Sequence, residues 1–150
     1  MKNCIILAGV LIISFFCIMG CKKPADKELP VSMNAIINGK TFTGSNCVSV
    51  LLGGNALFIT GGNFSNTPGP AVFPQIMLIL TVDTNTLAGT YGIDSVTNQA
   101  QLDSSAYLQL AAHSGTVTIT ATKPQIIGSF EFIMSDSTKV TRGNFVAKHY

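Results

Sequence analysis

Thr116-Val117-Thr118-Ile119-Thr120-Ala121-Thr122 alternates polar and apolar side chains without a break. Successive side chains of an extended chain point to opposite faces, so this stretch puts Val117, Ile119 and Ala121 on one side and four threonines on the other. β-Branched residues suit a pleated, half-buried surface. The stretch therefore predicts a strand with one wet face, and the same period of two continues on either side. Residues 125–135 send Phe130, Phe132 and Met134 inward and Ser129 and Glu131 outward. Residues 140–150 set Phe145 and Ala147 against Arg142, Asn144 and Lys148.

Toward the amino terminus the turns are as legible as the strands. Asn38-Gly39 separates residues 33–37 from 40–43, and Asn-Gly is a strong hairpin signal because both turn positions need positive φ. Gly53-Gly54-Asn55 separates residues 46–52 from 56–60 in the same way. Residues 75–82 are apolar on both faces, as a central strand would be, and Asp83-Thr84-Asn85-Thr86 turns the chain toward a strand over 89–93. Residues 107–112 lead through His113-Ser114-Gly115 into the threonine strand. Nine or ten short strands at hairpin spacing, and no stretch of helical period, predict an all-β fold. Either an antiparallel β-sandwich or a flattened up-and-down barrel satisfies the pattern.

Ahead of this domain stands a segment of another kind. Lys2 gives a basic start, residues 4–19 are almost unbroken apolar, and Gly20 precedes Cys21. The run is short for a comfortable membrane span, which needs about 20 apolar residues. Basic start, apolar centre and small residue are the parts of a secretory signal. The predicted organisation is a signal helix over 1–20, a tether over 21–30 and one β-domain over 31–150. The tether is polar, charged and bracketed by Pro24 and Pro30, and it cannot bury enough apolar surface to fold. Fully extended, it reaches at most roughly 33–36 Å.

Ile18-Met19-Gly20-Cys21 resembles the lipobox of bacterial lipoproteins, with Ile18, Gly20 and Cys21 matching and Met19 where a smaller residue is usual. The resemblance implies that the Cys21 thiol receives a diacylglyceryl group, that the leader is cut before Cys21, and that the new amino terminus is acylated. Two or more acyl chains hold a protein at a bilayer where one binds marginally. The implied location is the bacterial cell envelope, most simply the outer membrane. A second resemblance rests on Ala35-Ile36-Ile37-Asn38-Gly39-Lys40 with Phe42, on Gly89-Thr90-Tyr91, on Gly115 to Thr120, on Gly128-Ser129-Phe130-Glu131-Phe132 and on Val140 to Phe145. With the leader, this pattern is similar to that of a group of small lipoproteins of unassigned function in Bacteroidota-type bacteria. It implies fold and setting, and carries no catalytic residue.

The composition narrows the function classes. From Val31 to Tyr150 the domain has five basic and five acidic residues, which argues against a nucleic-acid partner. Of the four cysteines, Cys4 and Cys17 belong to the leader and Cys21 to the anchor, leaving Cys47 alone as a small buried hydrophobe. His113 and His149 read as solvent-facing strand-end residues, without metal-ligand spacing. Asp83, Asp94, Asp103, Glu131 and Asp136 are scattered, mostly in turns, and capping suits them better than paired acid–base work. The threonine row reads as a wet strand face.

The remaining candidate is the connection from Gly61 to Pro74, which holds Phe64, Phe73, Pro68, Pro70 and Pro74 and exceeds most hairpin loops. Phe64 and Phe73 either form a binding lip or fold back to plug the open end of the β-structure. The reading that follows is a membrane-tethered, non-enzymatic β-domain that binds a protein, glycan or small molecule, with no cofactor or metal implied. The alternative is a carrier of small hydrophobic ligands with a lipocalin-like cavity. An enzyme of unrecognised type stands third.

Overall fold

Asn38 and Gly39 sit at φ 46° and 81°, the left-handed conformation that a two-residue hairpin demands. They join β1 (Ser32–Ile37) to β2 (Lys40–Gly44) in the computed structural model, which describes residues 27–64, 72–105 and 108–150. Gly53 and Gly54, at φ 43° and 100°, turn β3 (Asn46–Leu52) into β4 (Ala56–Gly62). There follow β5 (Gln75–Thr81), β6 (Gly89–Ile93), β7 (Gln99–Ser105), β8 (Leu108–Ala121), β9 (Ile126–Met134) and β10 (Lys139–His149). The fold is all-β, and no helix occurs among the described residues. The signal helix, Cys21 and the tether up to residue 26 lie outside them.

Seven strands close a ring in the order β10-β3-β4-β5-β7-β8-β9 and back to β10. β1 and β2 extend from β10, and β6 extends from β8. Two long strands make the corners. β8 pairs β7 through its first half and β6 through its second, with β9 along its other edge. β10 pairs β1 over most of its length, and at Lys148 and His149 pairs Val48 and Ser49 of β3 in parallel. The result is a flattened barrel that is also a sandwich. One layer is β2-β1-β10-β9-β8-β6, the other β3-β4-β5-β7, and β8 and β10 are shared. All other strand pairs are antiparallel.

The structure corrects the sequence reading at His113-Ser114-Gly115. These residues do not link two strands; they lie within β8, which runs unbroken from Leu108 to Ala121. The register slips by one residue between Ala112 and Ser114, so His113 is the extra residue of a bulge rather than a strand end. β10 has a similar bulge between Val140 and Gly143, where Arg142 takes a φ of 51°.

The interior is built from alternate residues as the period of two requires. Val117 and Ile119 of β8, Phe130, Phe132 and Met134 of β9, and Phe145 and Ala147 of β10 are all buried. Met33 of β1 lies beside them, and across the core they meet Leu57, Ile59, Ile76, Leu78 and Leu80. Three phenylalanines lie directly opposite glycines on the neighbouring strand: Phe132 against Gly115, Phe145 against Gly128, and Phe130 against Gly143. A Cβ on Gly143 would stand 2.4 Å from the Phe130 ring. The rings thus fill the space that missing side chains leave, and Phe130 stacks on Phe132 and Phe145 with centroids 5.6 and 6.3 Å apart.

Candidate functional site

Following the strand directions round the ring sorts the loops into two ends. β1 begins, β3 ends, β4 begins, β5 ends, β7 begins, β8 ends, β9 begins and β10 ends at one of them. The chain enters the domain there. The Gln125 side chain, 4% exposed, accepts a hydrogen bond from Leu29 N–H at 2.8 Å and donates one to Leu29 C=O at 2.9 Å. The carboxy terminus is fastened at the same end, where Tyr150 N–H donates to Ser49 C=O at 3.0 Å. The fully buried Ser49 hydroxyl lies 3.3 Å from the Lys148 carbonyl and 3.1 Å from His149 Nδ1. This rim exposes Leu29, Leu52, Val96 and Tyr150, and Lys148 Nζ stands 5.0 Å from the centroid of the Tyr150 ring.

The opposite end holds the connection singled out from the sequence. Phe64 and Phe73 both come to this end and are half-buried, and the Asn46 side-chain amide donates to the Phe64 carbonyl. Beside them opens a groove of about 500 Å³, lined by Phe42 and Thr43 of β2, by Asn63 and Pro74 next to the two phenylalanines, and by Leu102 and Ser104 of β7. Other hollows of about 40, 230 and 270 Å³ are smaller. The groove has an apolar floor in Phe42 and Leu102, polar walls of hydroxyls and an amide, and Lys40 at its rim. Such a mixture holds a ligand by shape with a few orienting hydrogen bonds. The sequence pointed to this end through Phe64 and Phe73 but missed Phe42, Leu102 and Ser104, since no linear pattern connects residue 42 to residue 102.

The other candidates resolve into structural roles. Asp94 accepts hydrogen bonds from the backbone N–H of Val96, Thr97 and Asn98 at 2.9, 2.7 and 3.1 Å, and these donors, Val96 foremost, hold its carboxyl below the usual range. Asp83 and Asp136 cap turns likewise, through the N–H of Asn85 and Thr138. Asp103 lies in β7, where the Gln101 amide donates to it at 2.6 Å. His113 Nδ1 lies 3.2 Å from the Met134 carbonyl, and His149 ends β10. No group of three metal-ligating side chains forms among the described residues. Cys47 is fully buried, and burial pushes its thiol up to about 12, so it stays neutral and inert.

The threonine row belongs to a wider polar band on the outside. Thr90, Thr118, Ser129, Asn144, Asn34 and Thr43 stand opposite one another in register across six strands. The Thr90 and Thr118 hydroxyls are 3.1 Å apart, and the Asn34 amide donates to the Asn144 side chain at 3.3 Å. The band satisfies itself laterally and makes this a wet sheet face. No protein-family model, no curated protein and no solved structure matches the chain.

Proposed function

We propose that this protein is a lipid-anchored lipoprotein of the bacterial envelope, whose β-domain binds a partner through the groove at the end remote from the anchor. The observation that carries this reading is the opposition of the two ends. Residues 27–31 enter beside Gln125, while the groove lies at the other end of the strands. A tether rooted at Cys21 then holds the entry end toward the bilayer and turns the groove outward. The exposed Leu29, Leu52, Val96 and Tyr150, with Lys123 and Lys148 nearby, suit contact with a headgroup layer. A filled interior favours a ligand held in the groove over one carried inside the barrel. The groove's hydroxyls and apolar floor serve binding rather than bond-making.

The experiment is Cys21→Ala, with fractionation and metabolic labelling by a palmitate analogue. The native chain is expected in the membrane fraction carrying label, and the variant without label. A variant that still takes up label, or a cleaved variant that still sediments with membranes, overturns the anchoring.

A further inference from the structure

The groove runs beside a sheet edge, and that edge is open. In the hairpin, Ile37 pairs with Lys40 across the two-residue turn, Ala35 with Phe42, and Met33 with Gly44. The pair flanking such a turn exchanges both backbone hydrogen bonds, and the pattern then alternates along an antiparallel ladder. Lys40, Phe42 and Gly44 therefore bond inward to β1, while the N–H and C=O groups of Thr41 and Thr43 point away from it, toward the groove that both residues line. Nothing among the described residues pairs with this side of β2. At the other free edge of the layer, β6, the Asn98 side chain donates to the Gly92 carbonyl at 3.0 Å, and the turn capped by Asp94 follows. Among the described residues, no strand pairs the outward groups of Thr41 and Thr43, which stand beside an apolar floor.

We propose that an extended segment of a partner protein adds to β2 as a further strand, bonding to Thr41 and Thr43 and setting one apolar side chain into the groove over Phe42 and Leu102. Strand addition supplies affinity through the backbone and specificity through pockets for alternate side chains. β2 spans Lys40 to Gly44, so the recognised segment is short, about four to six residues, and its central inward side chain is apolar because Phe42 and Leu102 form the floor. The proposal rests on the groove's being a binding surface and is independent of lipid at Cys21.

The test uses the full-length protein in detergent micelles and a displayed library of random heptapeptides. Enriched peptides are expected to bind Thr43→Pro at least tenfold more weakly and Thr43→Val within about twofold, since only the first removes the outward N–H. The inward bonds of β2 survive either change, because proline is tolerated on the free side of an edge strand. Binding should also slow amide exchange at Thr41 and Thr43 by at least about tenfold. Peptides that bind Thr43→Pro as well as the parent overturn the proposal. If such peptides are nonetheless lost on Ser104→Trp, the groove remains a binding surface and strand addition alone is wrong. Thr41 and Thr43 amides already protected in the free monomer, or a dimer that Thr43→Pro dissolves, would show the edge taken by this chain itself and equally overturn it.

Discussion

Gly128 shows how much one hydrogen atom decides. A Cβ there would lie 2.3 Å from the Thr118 carbonyl oxygen and 2.5 Å from the Phe145 ring, and the backbone oxygen has nowhere to go. Gly128→Ala is expected to cost about 2–3 kcal/mol, the scale of overpacking, as read by urea unfolding. Gly92→Ala is the control: nothing lies within 4 Å of its Cβ, so the variant should be neutral or about 0.5 kcal/mol more stable. Equal losses at both sites would remove packing as the explanation. Cys47 sets a second residue-scale expectation. Its folded thiol stays protonated up to about 12, whereas the unfolded thiol ionises near the ordinary value of 9.0. The folded state binds the proton more tightly, so this contribution is complete below that ordinary value and fades as pH rises through the interval. The parent should lose up to about 1.4 kcal/mol per pH unit more than Cys47→Ala across that window. Parallel pH–stability curves for the two proteins would show the thiol to be less desolvated than its burial implies.

At the level of elements, barrel closure hangs on a short seam. β10 meets β3 only at Lys148–Val48 and His149–Ser49, assisted by Tyr150 N–H on Ser49 C=O. Deleting residues 148–150 would remove these bonds and leave the buried Ser49 hydroxyl without its partners. The loss should be on the order of 2–4 kcal/mol, with faster amide exchange concentrated in β3. Unchanged protection in β3 would mean that the layers hold together without the seam. The elements also show where the sequence could be read. Both hairpins were legible because their turns demand positive φ and their residues allow it. β7 was not, because Gln99-Ala100-Gln101-Leu102-Asp103 has only small or isolated apolar residues to mark the period. His113-Ser114-Gly115 looked like a turn because small polar residues favour turns. Within the fold, pairing with β9 pulls it straight: Gly115 approaches Phe132 more closely than any side chain permits, and the one surplus residue becomes a bulge.

For the whole molecule, polarity from end to end is what matters. If the entry end faces a bilayer, an aqueous quencher should reach a fluorophore on Thr41→Cys freely and one on Leu52→Cys several-fold less well, in the lipidated protein on vesicles. Both positions are exposed in the domain, so equal quenching would leave it without a preferred orientation. The buried Cys47 stays unlabelled and need not be replaced.

The sequence by itself determined the all-β class, most strand faces and the hairpin turns, because these depend on period, turn chemistry and neighbours a few residues away. Only the tertiary structure decided that the layers share β8 and β10, that a two-residue parallel seam closes the ring, and that Phe42 and Leu102 floor one groove. Those facts join residues far apart along the chain, and such contacts are selected by the packing of the whole core rather than by any local preference. The open edge of β2 is of the same kind: Thr41-Phe42-Thr43 reads like any other short strand, and only its place at the end of the sheet leaves its outward side without a paired strand among the described residues.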